Sequence, residues 1–182
     1  RSGVRATISE VGTTGLCYAE PLVDVLVPGG PRVLYANVGP EHVPEIVTKH
    51  VVAGEPVWNL ALATVDIDIP GIPQREDLPM MKNQVRIALR NAGEIDPVNI
   101  YQYLASDGFA GLDKALGSMD PKDVVQEVKD SGLRGRGGAA FSTGTKWSFL
   151  SGNPSDTKYI LCNCEEGDPG AVNDKTILES DY

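Results

Sequence analysis

Long apolar runs are missing from this sequence. None approaches the ~20 consecutive apolar residues that a helix needs to cross a bilayer, so any membrane association is expected to come through a partner. Cysteine is scarce, with three in 182 residues and no even-numbered framework. That excludes a disulfide-stapled secreted scaffold and points to a reducing, cytoplasmic setting. Positive charge is in deficit: 16 Lys and Arg stand against 25 Asp and Glu, for a net charge of −9. A nucleic-acid partner needs clustered Lys and Arg, so it is excluded. Histidine is limited to His42 and His50, two turns apart on one expected helix with no cysteine or carboxylate arranged to join them. Surface or helix-end roles fit them better than metal ligation or catalysis. No signal peptide is evident, although the chain begins Arg-Ser rather than Met. What remains, 41% hydrophobic and 23% charged residues, describes an ordinary globular chain of one or two domains.

Glycine is concentrated where the chemistry should lie. Gly132, Gly135, Gly137 and Gly138 free the backbone from Cβ restrictions, so that its N–H groups can converge on a guest. Arg134 and Arg136 make that guest an anion such as phosphate. The two arginines could also partly offset the negative end of the helix expected before the loop. Gly135 to Ala140 formally fits G-x-G-x-x-G/A, but the preceding residues, Asp120 to Ser131, read as helix, and the dinucleotide fingerprint requires a strand there. A P-loop fails on spacing at Gly144-Thr145-Lys146. Glycine content alone leaves a flexible loop and a ligand loop both open. Further on, Tyr159 to Cys162 reads as a short buried strand, followed by Asn163, Glu165, Glu166 and Asp168. Carboxylates repel phosphate and accept hydrogen bonds from hydroxyls. A phosphate-seeking loop followed by a hydroxyl-seeking one suits a nucleotide with phosphate and sugar or ribityl groups. The acidic loop lacks the alternate-residue pattern of a calcium loop, and a solvated turn is its plainer reading.

The run Ser131-Gly-Leu-Arg-Gly-Arg-Gly-Gly-Ala-Ala-Phe-Ser-Thr-Gly-Thr-Lys-Trp147, with Cys162-Asn-Cys-Glu-Glu-Gly-Asp-Pro-Gly170, resembles the NADH-binding FMN flavoprotein subunit of respiratory complex I. It is similar also to the equivalent subunits of NAD-linked hydrogenases, formate dehydrogenases and electron-bifurcating reductases. The resemblance runs from about Met80 to the end. It implies that Gly135, Arg136, Gly137 and Gly138 lie along FMN, and that Lys146, Asn163, Glu165 and Glu166 complete its polar contacts. Phe141, Lys146, Phe149 and Asp168 would border NAD. Three departures stand out: Ala140, Glu165 and Asp168 replace the family's usual Gly, Asp and Glu. A methyl at Ala140 could crowd a planar ring. The resembling subunits continue beyond this point with a segment binding a 4Fe-4S cluster, which is therefore expected only outside this sequence.

In chain order, residues 1–58 are expected to be a degenerate thioredoxin-like domain, 59–79 a connector, and 80–182 a helical lead-in with the first part of the FMN/NADH-binding domain. Val23 to Val27 and Arg32 to Val38 read as antiparallel strands around Pro28-Gly29-Gly30-Pro31. Val43, Ile46, Val47, His50 and Val51 mark one helix face, ended by Gly54. This part resembles the 2Fe-2S thioredoxin-like domains of the same enzymes, but only Cys17 stands where their cysteines lie, so a buried apolar role is expected for it. Val65 to Ile69 alternates as an edge strand. Helices are expected from Met80 to Gly93, after Asp96-Pro97, around Leu112 to Leu116, after Asp120-Pro121, over Thr143 to Leu150, and from Lys175 behind an Asp174 cap. Trp147 reads as core. Cys162 and Cys164 are expected on one strand face, with no second pair for a cluster or zinc.

The fold class is therefore α/β (α+β overall): a partial thioredoxin-like domain followed by the start of an FMN-binding α/β domain. The implied activity is NADH:acceptor oxidoreduction, with hydride passing from NADH to FMN and electrons onward to iron–sulfur partners within a multi-subunit redox complex. A non-catalytic assembly or docking module and a regulatory nucleotide-binding domain are the alternative classes.

Overall fold

The computed structural model describes residues 3–181. Arg1, Ser2 and Tyr182, at the outer ends of the expected domains, lie outside the described residues. The chain divides into two units. One runs up to Val98 and also takes in the segment from Lys175 onward; the other is Asn99–Asp174. The expected limits at 58 and 79 both fall inside the first unit.

Alternation builds the sheet of the first unit. Strand β1 (Val23–Leu26) pairs antiparallel with β2 (Arg32–Tyr35), with Val23 opposite Tyr35 and Leu26 opposite Arg32. The turn between them uses Gly29 at φ +77° and a 2.8 Å bond from the Gly30 N–H to the Val27 carbonyl. Strand β3 (Ala61–Thr64) pairs antiparallel with the other edge of β2. The strand therefore ends before Val65 to Ile69, the stretch whose alternation suggests an edge strand; there the Val65 N–H still bonds the Arg32 carbonyl and Ile69 makes an isolated bridge with Ile72. Ala63 and Thr64 are buried, while Asp66 and Asp68 stay exposed, because a buried carboxylate would lose its hydration. Val33 and Tyr35 of β2 face one core with Val38, Ile46 and Val57. Leu34, of opposite parity, faces a second core with Leu16, Ala19, Ala63, Leu78 and Met81. Both faces of the central strand are thus covered.

Helix α1 (Val43–Ile46) widens into a π-helical run over Val47–Val52, and Gly54 at φ +74° follows it. Ile46 and His50 are its buried residues. His50 is thus a core residue rather than the surface or helix-end histidine expected. The Val57 N–H donates to Tyr35 Oη at 3.1 Å, which leaves the Tyr35 hydroxyl hydrogen for His50 Nδ1 at 2.9 Å. That pattern places the imidazole hydrogen on Nε2, which has no bond of standard geometry. Burial pushes the His50 pKa below its ordinary value, opposed in part by the nearby Pro31 carbonyl. A second tie joins distant parts of the unit: Glu94 accepts from Arg32 at 2.7 Å and from Arg75 at 2.5 Å. Burial alone would raise the Glu94 pKa, but the two guanidinium groups hold it below the usual carboxylate range.

Several expectations fail in identifiable ways. Met80 to Gly93 forms successive turns, with Val85 and Ile87 largely exposed. Its ends are held by other bonds: Arg86 donates to the Ala92 carbonyl, and Asn91 donates through N and Nδ2 to Asp181 at 2.7 and 2.9 Å. Cys17 is exposed, and Leu16 and Ala19 near it supply the burial instead.

In the second unit, α2 (Ile100–Ala105) starts at Asn99 rather than at Asp96-Pro97. The Asn99 side-chain oxygen caps Tyr101 N and Gln102 N, whereas Asp96 accepts from Val98 N in its own turn. Helices α3 (Ala110–Ser118), α4 (Pro121–Asp130) and α5 (Thr143–Gly152) follow. Asp120 and Pro121 begin α4 as expected, in cap and first-turn positions. Helix α6 (Asn173–Ser180), which from Lys175 onward belongs to the first unit, begins before Asp174, which sits in its first turn. Tyr159 to Cys162 is neither strand nor buried: Tyr159, Ile160 and Leu161 are 76%, 75% and 88% exposed. A strand needs a neighbour to pair its backbone groups, and this segment has none assigned.

A buried neutral imidazole makes stability depend on pH. The unfolded chain takes up a proton at His50 near pH ~6.5, while the folded chain resists it. The contribution is therefore full above that pH and is lost as pH falls below it. Urea midpoints for the wild type should drop between pH 7.5 and 5.5, and His50→Phe should flatten that part of the profile. An unchanged slope in the variant would remove His50 as the cause.

Candidate functional site

The glycine loop joins two packed helices. At the end of α4, Gly132 takes φ +69° and its N–H bonds the Lys129 carbonyl, terminating the helix in the left-handed manner open to glycine. Helix α5 begins at Ser142, whose hydroxyl accepts from Thr145 N at 3.3 Å. Between these ends the chain forms a closed neck. Arg134 and Ser142 are bridge partners, Gly135 N donates to Phe141 O at 2.9 Å, and Thr143 N donates to Leu133 O at 3.0 Å. The Arg134 guanidinium adds a bond to the Ala140 carbonyl at 3.2 Å. One role of Arg134 is therefore to brace the loop internally.

Inside the neck, residues 136–140 are exposed and irregular. Gly138 takes φ +93°, so glycine is required there by conformation. Ala140 takes φ +50°, a left-handed state that costs a non-glycine residue ~1 kcal/mol or more. Gly137 differs. Its φ is not positive, and a Cβ added to it would meet no atom within 4 Å. Nothing described in this chain requires glycine at 137, so the space above it remains available to a guest.

The helix crossing that carries the loop depends on Gly144. A Cβ there would lie 2.5 Å from the backbone N and Cα of Lys129, so α5 meets α4 backbone to backbone. Gly144 is the buried residue of α5. Reading Gly144 only as a failed P-loop glycine misses this role; its position at the start of a helix facing α4 is the available signal. Lys146 lies one turn into α5 with its side chain exposed, and Trp147 is half-buried. The Phe141 and Phe149 rings lie 6.5 Å apart, tilted by 44°, both more than half exposed.

The acidic loop is organised by its own backbone. Asn163 Oδ1 accepts from Glu165 N at 3.2 Å, and the Asp168 carbonyl accepts from Ala171 N across Pro169-Gly170. Gly170 at φ +82° after Pro169 makes this a type II turn. Glu165 and Asp168 are exposed, and Glu166 is half-buried. Cys162 Sγ and Cys164 Sγ approach to 3.3 Å.

Thus Gly135, Arg136, Gly137 and Gly138 come together in one loop, with Phe141, Lys146 and Phe149 at its base or on the following helix. Asn163, Glu165, Glu166 and Asp168 share the second loop. The hydrogen bonds described for the glycine loop run to α4, α5 and its own neck. A 190 Å³ cavity in the same unit is lined instead by α3 and α4 residues such as Lys114 and Val128, with Met119 between them. Among the described residues no helix is long and apolar enough to cross a membrane.

The two glycine roles separate by substitution. Gly144→Ala should destabilise the second unit by about 1–3 kcal/mol, because the α4 and α5 backbones must move apart. Gly117→Ala on α3, where a Cβ meets nothing within 4 Å, should be neutral or stabilising by up to about 1 kcal/mol. Denaturant melts of both variants check this; equal effects would discount the helix crossing. Ala140→Gly should in turn raise stability by up to about 1 kcal/mol by relieving the left-handed strain.

Residues 128–182 match the family model described as the Nuo51 FMN-binding domain. The HndC subunit of the NADP-reducing hydrogenase of Solidesulfovibrio fructosivorans is 54% identical over 100 residues, covering 55% of this chain and 20% of that protein. The second F subunit of NADH-quinone oxidoreductase of Rhizobium meliloti is 45% identical over 95 residues, covering 52% of this chain and 23% of its own length. The F subunit of the Escherichia coli NADH-quinone oxidoreductase is 40% identical over 106 residues, 54% of this chain and 24% of that protein. The chain therefore spans roughly a fifth to a quarter of these relatives. Over about half its length it is a homologue of the NADH-quinone oxidoreductase F subunits and of the hydrogenase HndC subunit, and residues 128–182 match the Nuo51 FMN-binding domain.

Proposed function

We propose that this chain is part of an NAD(P)H-oxidising flavoprotein subunit, and that its two loops contact one FMN. The observation carrying this reading is Gly137, a glycine with open space where its Cβ would be and no internal reason to lack one. Arg136 and the exposed amides of residues 136–138 would face the phosphate and ribityl end. Lys146 would add a positive charge, and Asn163, Glu165 and Glu166 would accept from ribityl hydroxyls. Phe141 and Phe149, with Asp168, would border the nicotinamide nucleotide. When bound, FMN supplies the hydride and single-electron chemistry, and the chain's own work is orientation and electrostatics.

In this reading residues 1–58 are a degenerate thioredoxin-like docking domain, 59–79 a connector, and 80–182 the entry to the flavin domain. The partners are other members of a redox complex, including iron–sulfur proteins, in a reducing cytoplasmic compartment; Cys17, Cys162 and Cys164 are free in the structure. A second reading, a non-catalytic assembly module, is favoured by the exposed Tyr159-Ile160-Leu161 run, which offers apolar surface to a neighbour.

Flavin separates the two. The native protein should bind FMN with quenched fluorescence and bleach on addition of NADH or NADPH. Gly137→Val should lower FMN retention at least tenfold with little change in thermal stability, since the new side chain enters ligand space rather than packed protein. Full flavin retention in that variant would reject the placement of the loop, and absence of flavin from the native protein would favour the assembly module.

A further inference from the structure

Two thiols of the acidic loop play no part in the flavin reading. Cys162 and Cys164 are both exposed, and their sulfurs lie 3.3 Å apart, within hydrogen-bond contact. On a regular strand, alternate residues stand ~6.6–6.8 Å apart with parallel side chains, too far for their sulfurs to bond without bending the backbone. The segment here is irregular, and a turn bond from Glu165 N to Asn163 Oδ1 accompanies the close approach of the flanking thiols. Exposure gives small oxidants access, and the ring to be closed holds a single intervening residue, so little chain entropy opposes closure. The Cys164 thiol is pushed above its ordinary pKa, first by its hydrogen bond with Cys162 and further by the nearby Asp174 and Glu166 carboxylates. Among the described residues no third Cys, His or carboxylate groups with the pair as a metal site.

We propose that Cys162 and Cys164 form a reversible disulfide across Asn163, making the acidic loop a site of thiol oxidation by hydroperoxides. The Cys162 sulfur attacks the peroxide, breaking the O–O bond, forming a sulfenic acid and releasing water from hydrogen peroxide or the alcohol from an organic hydroperoxide. The Cys164 sulfur then attacks the sulfenic sulfur; the S–S bond forms, the S–O bond breaks and water leaves with the remaining thiol proton. Two electrons pass from the two sulfurs to the peroxide oxygens. Exposed disulfides of this kind are readily returned to thiols by dithiol reductants. Closing the ring fixes the backbone on both sides of Asn163.

The proposal does not rest on flavin binding. Reduced native protein, freed of reductant, is treated with hydrogen peroxide, alkylated and peptide-mapped, with and without added FMN. The peptide containing both residues should become lighter by two hydrogen atoms and lose alkylation at both, while Cys17 remains alkylated. Dithiothreitol should restore both alkylation sites. Cys162→Ser and Cys164→Ser should each abolish the internal link and leave the remaining thiol to alkylate or over-oxidise. Persistent alkylation of both residues, sulfinic or sulfonic acid on both without a link, or a link to Cys17 would overturn it. A link formed in protein that fails to bind FMN would uphold this site and reject the flavin reading alone.

Discussion

The approach of α5 to α4 at Gly144 governs the candidate site. With no side chain between the Lys129 backbone and the start of α5, the two helix ends lie close enough for Leu133 and Thr143, and Gly135 and Phe141, to bond across the loop's neck. Residues 136–140 are then presented from a fixed base while their own amides stay free of helix and sheet. Such preorganisation reduces the ordering cost of holding an anionic ligand. A wider crossing would keep every glycine and lose the neck.

The first unit is held by a different means. Its central strand is covered on both faces, and polar groups within it are paired in chains: Val57 to Tyr35 to His50, and Arg32 and Arg75 to Glu94. These ties connect residues far apart in sequence. Asp181 reaches Asn91 in the same way. The N-terminal part therefore resembles a conventional packed domain, whereas the loop-bearing part is a set of short helices joined by specific turns.

Legibility follows the range of the interactions involved. The β1–β2 pair, the helix after Pro40, and the α4 start at Asp120-Pro121 are readable because alternation, helical spacing and capping act over a few residues. The glycine loop is readable as a candidate ligand loop because its glycines and arginines cluster in sequence. Met80 to Gly93 is not, since bonds from Asn91 to Asp181 and from Arg86 to Ala92 displace the helix its apolar spacing suggests. His50 escapes recognition as core because its inward position follows from the π-helical run and from Tyr35, fifteen residues away. Tyr159 to Leu161 has strand composition, but composition supplies no pairing partner. Asn99 takes the cap expected of Asp96 because its side chain reaches two helical amides that Asp96 does not.

Among the described residues of Asn99–Asp174, Gly144 alone is buried. Opening of that unit thus exposes little new apolar surface, and its amides should exchange with solvent through inexpensive local fluctuations. Those of β2, sandwiched between two cores, should exchange only when the whole first unit unfolds. The segment proposed to receive the nucleotide is in this sense the soft part of the molecule, and its occupant would contribute rigidity as well as chemistry.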